Sequence, residues 1–336
     1  MTDAVSFQTS IIGGSRMKRR ALWLVLLVMA LGAGAVGLIW QSDMRAIEAR
    51  LLAEARVTPT RFGAVAHSEG GQGMPSLVIH GAGGGHDQGR LLAEAFLPDG
   101  YRWIAPSRFG YPGSSMPPVA STSAQSDAFA ALLDSLGIDR VAVIAMSGGV
   151  PPALQFALRH PERTQALILL SLAPYAPLTA EGQELPIPLW LYEALFVTDL
   201  PLWLALRLSP RALAPVFDAR PELTARMTEA EAGFLDAMIA AFLPVTQRRA
   251  GLANEGAAID PVAALDPAAI AVPVLLVHAR DDQITPFTAA AFTAERVLEA
   301  ETLFVDTGGH LLLGHHAAVR ERIAEFLAAH VPPAAE

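Results

Sequence analysis

The chain has 336 residues, of which 52% are hydrophobic and 17% charged, and its net charge is −9. That length buries a large core without disulfides or metal, and the apolar balance excludes a disordered chain and hints at a membrane segment. There is no cysteine, and Lys18 is the only lysine, so thiol nucleophiles, Cys-ligated zinc, iron–sulfur clusters, P-loops, Schiff bases and Ser–Lys dyads fall away.

The first forty residues carry a net +3, from Arg16, Lys18, Arg19 and Arg20 against Asp3, and the remainder −12. A body of that charge has no electrostatic reason to bind nucleic acid. Residues 21–40 are uncharged and long enough to cross a bilayer as a helix. The basic residues just before them predict a cytoplasmic N-terminus (1–20) and an exported body, on the periplasmic or extracytoplasmic side. A cleaved signal peptide is the rival, with Ala33-Gly-Ala35 as its processing site and a secreted body as its result. The retained anchor is preferred because the apolar run continues to Trp40. Residues 41–56 place Met44, Ile47 and Leu51 on one stripe and predict a helical stalk.

From Arg61 onward strands and helices alternate. Segments 62–67, 76–80 and 101–105 read as strands, with a glycine turn over 70–73. A helix over 121–136 stops at Gly137. Segments 140–146 (RVAVIAM) and 165–172 (QALILLSL) are continuous apolar runs, as for strands buried on both faces of a parallel sheet. A helix is predicted between them over 150–159. The rhythm breaks over 175–262, a proline-rich helical stretch, and resumes with a strand over 273–278, a helix over 288–298, a strand over 302–305 and a last helix over 317–329. The fold class is therefore α/β, a mostly parallel sheet with helices on both faces. Its core is 57–174 and 263–336, and 175–262 is an inserted cap.

Ala145-Met-Ser-Gly-Gly149 lies where a buried strand gives way to a helix. Small residues flank Ser147 at −2 and +2, the room that a nucleophile elbow needs. Ala145 stands where that pattern usually has glycine, and a plain serine N-cap is the alternative for the pentapeptide alone. His80-Gly-Ala-Gly-Gly-Gly85 follows another strand, and its glycines let backbone N–H groups face a site above the sheet. As a dinucleotide loop it is a poor match, with His86 at the third glycine position. Asp281 or Asp282 supplies an acid just beyond the strand ending at His278, and His310 a base after a still later strand. Adding His315 and His316 to His310 matches no usual metal spacing.

These pieces, with SRFGYPGSS at 107–115, AMSGGVPPALQFALRHPER at 145–163, HARDDQITP at 278–286 and GGHLLLGH at 308–315, resemble the α/β-hydrolase family over 57–332. The resemblance implies Ser147 as nucleophile, His310 as general base and Asp282 as orienting acid, four residues past His278 as in the family's H-G-x-x-D pattern. It implies the backbone N–H groups of Ala82 and Gly148 as oxyanion donors. Ala279 departs from that pattern's glycine, which keeps Asp281 as an alternative. Ser114 and Ser115 are read as structural.

The expected chemistry is hydrolysis of an ester-type bond through an acyl-enzyme, without metal or organic cofactor. Leu189, Trp190, Leu191, Phe196, Leu202 and Trp203 in the cap suggest a small apolar acyl or ester substrate, or else simply pack the cap on the sheet. A serine nucleophile excludes relatives that use aspartate, such as haloalkane dehalogenases, and the loop lacks the HGGPG run of proline iminopeptidases. The same triad serves C–C hydrolases, perhydrolases or haloperoxidase-like enzymes, and acyltransferases. A membrane-tethered binding protein with an inactive site is the reading from another class. Oligomeric state is left open.

Overall fold

Strands β5 (Val141–Met146) and β6 (Thr164–Leu170) are buried at nearly every position, which requires cover on both sheet faces. A computed structural model shows that arrangement; it describes residues 6–173, 175, 197–255 and 265–331. The sheet has eight strands in the order β1-β2-β4-β3-β5-β6-β7-β8. The others are β1 (Arg56–Thr60), β2 (Gly63–Gly71), β3 (Met74–Ile79), β4 (Tyr101–Pro106), β7 (Val274–Ala279) and β8 (Glu301–Val305). β1 and β2 are antiparallel to each other, β2 is antiparallel to β4, and every other pairing is parallel.

Side chains alternate between faces along a strand. Leu77, Ile79, Val143, Ala145, Leu167, Leu169 and Leu276 share one face and pack with Phe129, Leu132, Leu154 and Phe156. Those partners lie on α3 (Thr122–Ser135) and α4 (Val150–Arg159). Each fully buried aliphatic or aromatic side chain contributes about 1.5–3 kcal/mol relative to exposure, so the strand ends form a rigid platform. α2 (His86–Phe96) packs on β4 and β3, and the last helix, α10 (His316–His330), packs on α2. Ser121 caps α3 by accepting from Ala124 N, and Gly137 beyond its end has φ 65°, as the predicted stop requires.

β1 was not expected. Its sequence RVTPT is half exposed and contains Pro59, tolerable here because β1 is an edge strand. Residue 56, expected to end the stalk, instead opens this strand. β2 runs through Gly70 and Gly71 rather than turning there; a Cβ at Gly70 would lie 2.5 Å from the Trp103 ring.

Between β6 and β7 the described residues hold helices and turns: α5 (Leu200–Leu208), α6 (Pro221–Thr224), α7 (Glu229–Ala240) and α8 (Arg249–Asn254). α7 begins with a capping box between Thr228 and Glu231. Leu202 and Trp203 are buried on α5, whereas Leu189, Trp190, Leu191 and Phe196 lie outside the described residues. α9 (Phe287–Arg296) joins β7 to β8.

The N-terminal helix α1 (Ser6–Glu54) runs unbroken through both the apolar run and most of the expected stalk. It forms a unit of its own through Ala49, separate from the body. Its portion Arg19–Glu54 contains a stretch long and apolar enough to cross a membrane, with Leu22, Trp23, Leu24 and Met29 exposed.

Candidate active site

Ser147 directly follows β5 with φ 54°, in the left-handed region that a β-carbon disfavours by about 1–2 kcal/mol. Such strain persists where the surroundings impose it. Here the chain turns from strand to helix within Ser147–Gly149, and α4 starts at Val150. Gly149 permits that turn, because a Cβ there would lie 2.6 Å from His80 O and 2.7 Å from Ile79 O. Ala145, in the usual glycine's place, is buried in β5. Ser147 is 9% exposed.

His310 is delivered by Gly308 and Gly309, with φ 138° and 59°. Its backbone N–H donates to Asp218 Oδ2 at 3.2 Å, and its carbonyl accepts from Ser171 Oγ at 2.7 Å. Ser171 follows Leu170, the partner of Met146 in the β5–β6 ladder, so the serine and the histidine stand at the carboxyl ends of adjacent strands. In an open α/β sheet that is where ligands bind. Among the described residues no hydrogen bond joins Ser147 to His310; such contacts are often long until a substrate is bound.

His310 Nδ1 lies 2.9 Å from Asp282 Oδ2. The same oxygen accepts from Thr285 Oγ1 at 2.7 Å, while Oδ1 accepts from Ile284 N at 2.8 Å and Thr285 N at 2.9 Å. Burial raises the Asp282 carboxyl, but the hydrogen bond and charge of His310 and the Thr285 bonds outweigh it and hold it at about 2. The carboxylate thus stays ionised and keeps the imidazole proton on Nδ1, with Nε2 the basic nitrogen. Asp281, the alternative acid, is occupied elsewhere: it accepts from Arg220 Nη2 at 2.7 Å and from Gly309 N at 2.9 Å.

His278 ties this loop to the sheet. Its Nδ1 accepts from Leu172 N at 3.0 Å, so Nε2 carries the hydrogen and donates to Thr285 O at 3.1 Å. Burial lowers its pKa, in keeping with a neutral ring. Asp218, itself buried, holds His310 N and Gln283 N and pairs with Arg220. Burial, with the charge of Asp282, raises its pKa against the pull of Arg220 and those two amides.

The loop 80–85 meets the serine turn face to face. A Cβ at Gly148 would lie 3.1 Å from Ala82 N, and one at Gly81 would lie 3.1 Å from Ser147 Cβ. Four side chains pin this loop. His80 Nε2 accepts from Arg108 N at 3.0 Å, so its Nδ1–H donates to Gly81 O at 2.7 Å. Burial, reinforced by the Arg108 charge, holds His80 well below the usual histidine range. Arg108 Nη2 donates to Gly81 O at 2.9 Å, Tyr111 OH accepts from Gly83 N at 3.1 Å, and Arg248 Nη1 donates to Gly84 O.

Arg248, fully buried on the insertion, pairs with buried Asp87 in α2 at 2.8 Å. Removing one partner of a buried pair leaves an uncompensated charge. Arg248→Met is therefore expected to lower stability by about 3–5 kcal/mol, with Asp87→Asn in the same chain recovering part of it. Chemical denaturation checks this, and an unchanged midpoint in Arg248→Met would remove the pair from the account.

Ser114 and Ser115 are structural, accepting at 3.0 Å from Ala66 N and Ala64 N respectively. His86 opens α2, with its ring on Ser68 Oγ. The His316 ring packs against Phe96 and Phe234 and hydrogen-bonds Leu311 O, and His315 precedes it as helix cap. Among the described residues no cluster of three or more His, Asp or Glu is placed to hold a metal ion. The sequence reading used His278 only as the landmark for Asp282 and met Arg108 and Tyr111 only within a matching segment, and it missed Arg248, Asp87, Asp218, Thr285 and Glu255, the carboxylate paired with Arg108. Of those missed, Thr285, three residues past Asp282 as in an Asx-type turn, left a local signal.

Residues 77–317 match the family model described as alpha/beta hydrolase fold. The chain is 30% identical over 266 residues to the 2-hydroxymuconate semialdehyde hydrolase of Pseudomonas putida, covering 77% of this chain and 88% of that one. Among solved structures, an alpha/beta hydrolase fold protein from Nakamurella multipartita superposes with TM-score 0.71 and 26% identity, over 82% of this chain and 99% of its own. A membrane phospholipase A, described as a bacterial virulence factor, superposes with TM-score 0.58 and 20% identity, over 93% of this chain and 98% of its own.

Proposed function

The chain belongs to the α/β-hydrolase fold family, and from that premise we propose that it is a serine hydrolase cleaving carboxylic esters with an apolar acyl or alcohol part, held at a membrane by α1. The observation that carries the reading is the His310 Nδ1–Asp282 Oδ2 hydrogen bond of 2.9 Å, with His310 tied to the end of β6, the neighbour of the strand whose end carries a serine in a strained turn. His310 Nε2 takes the Ser147 proton as Oγ attacks the acyl carbonyl. The N–H groups of Ala82 and Gly148 hold the tetrahedral oxyanion. His310 then protonates the leaving alcohol, and water, activated by the same nitrogen, releases the acid from Ser147.

The apolar sequence of the insertion, Leu189, Trp190, Leu191 and Phe196 with Leu202 and Trp203, is what suggests an apolar substrate, although burial of the last two also serves to pack the insertion. Membrane tethering is supported by the exposed apolar run of α1 and the basic residues 16–20 before it, which favour an extracytoplasmic body.

A second reading, C–C bond hydrolysis on the same residues, is favoured by the likeness to the 2-hydroxymuconate semialdehyde hydrolase. One experiment separates them. Detergent-extracted protein is treated with a fluorophosphonate and analysed by intact and peptide mass spectrometry, then assayed on p-nitrophenyl esters of increasing acyl length and on 2-hydroxymuconate semialdehyde. Labelling at Ser147 with faster turnover of the longer esters is the expected result. Turnover of the dienoate alone would install the C–C reading. Absence of labelling on folded protein would leave a binding protein. The intact mass also reads whether residues 1–35 are retained.

A further inference from the structure

Gly81 O is held by more donors than a loop carbonyl ordinarily collects. His80 Nδ1 donates to it at 2.7 Å, Arg108 Nη2 at 2.9 Å and Gly84 N at 3.3 Å. A trans peptide is planar, with its C=O and N–H directed to opposite sides. Fixing the Gly81 carbonyl therefore fixes the direction of Ala82 N–H. Donation into a carbonyl also polarises its amide and strengthens the N–H as a donor, and a cationic donor does so more than a neutral one.

Arg108 is 6% exposed and comes from the loop after β4. Its guanidinium is gripped from the other side by Glu255, just past α8. Nη1 donates to Oε2 at 3.1 Å, and Nη2 donates to Oε1. Tyr111 OH donates to the same Oε1 while accepting from Gly83 N, and the guanidinium lies 5.0 Å from the Tyr111 ring. The group is thus held in one orientation by three chain segments. A Cβ at Gly148 would lie 3.0 Å from Glu255 Oε2 and 3.4 Å from Arg108 Nη2, so the ion pair stands beside the serine turn.

Resting on the reading of Ala82 and Gly148 as oxyanion donors, we infer that Arg108 is a positioning residue for the oxyanion hole, acting through the Gly81 carbonyl. It aims and polarises Ala82 N–H without touching substrate. Its contribution therefore appears in the transition state and leaves ground-state binding alone.

The test uses full-length protein whose wild type is first shown to label at Ser147 with a fluorophosphonate. Deleting one oxyanion donor outright costs about 10²–10³ in kcat, and misaiming one should cost less, so Arg108→Met is expected to lower kcat about 10- to 100-fold with KM changed less than about threefold. Binding of an arylboronic acid, whose adduct with Ser147 places a boron-bound oxygen where the oxyanion forms, should weaken by the same factor. Arg108→Lys, which keeps a cationic donor, should recover most of both losses. Arg108→Gln, a neutral donor, should fall between them, and it carries the comparison with lysine if the methionine variant does not fold. A raised KM at unchanged kcat would make Arg108 a substrate ligand and overturn the inference. So would a kcat loss without weaker boronate binding, or lowered thermal stability with kcat intact. An unlabelled wild type would overturn the reading of the site itself, and this inference with it.

Discussion

Ser147→Ala is expected to abolish fluorophosphonate labelling and to lower kcat on an activated ester by at least about 10⁴-fold, the scale on which a triad nucleophile acts. The residual rate would be what the oxyanion donors and substrate binding supply by themselves. Because the variant still carries a β-carbon at φ 54°, the strain of the turn is retained and stability should change little. Loss of activity would then report loss of Oγ and nothing else. The measurement is steady-state turnover of a p-nitrophenyl ester by purified variant and wild type at matched folding. Turnover within a few-fold of wild type would sink the assignment of Ser147.

Asp282→Asn should cost nearly as much, about 10⁴-fold in kcat, and the hydrogen bonds explain why. Oδ1 accepts from two backbone amides, Ile284 N and Thr285 N, so the asparagine must present its oxygen there. Its NH₂ then faces Thr285 Oγ1 and His310 Nδ1. A donor facing Nδ1 forces the imidazole proton onto Nε2, the nitrogen that must act as base. The fold survives while the tautomer is wrong.

The same carboxylate gives stability a pH dependence of definite sign. Its pKa is about 2 in the folded protein, against an ordinary 3.8. A depressed carboxylate stabilises the fold fully above its unfolded pKa, and that stability is lost as pH falls through the folded value. The contribution is on the order of 2 kcal/mol. Between pH 5 and pH 2.5, wild type should therefore lose more unfolding free energy in urea than Asp282→Asn does. Parallel losses in the two proteins would mean that Asp282 is not held below its ordinary value.

How much of this was legible beforehand varied with the range of the cause. β5, β6 and β7 announced themselves as continuous apolar runs, because burial on both faces of a parallel sheet leaves no polar alternation to confuse. The serine turn was legible because its requirements are local: small residues two positions either side of Ser147, between a buried strand and a helix. β1 was not, since an edge strand with a proline and half-exposed side chains carries little pattern, and it follows a long helix almost at once.

The choice between Asp281 and Asp282 marks the limit well. The two are neighbours with the same chemistry, and the residues themselves left both open until a family pattern favoured one. Only the folded chain shows one carboxylate on His310 and the other on Arg220 and Gly309.

By itself, the sequence determined the α/β alternation, the apolar N-terminal helix and the placing of Ser147, the Asp281–Asp282 pair and His310 just past strands, because each depends on a few consecutive residues, while its composition excluded cysteine chemistry. The tertiary structure alone decided what holds the site in shape: Arg108 with Glu255, 147 residues apart, Arg248 with Asp87, 161 apart, and Asp218 with His310, 92 apart. A buried polar group must find its partner wherever the fold brings one within hydrogen-bond distance, and separation along the chain carries no record of that distance.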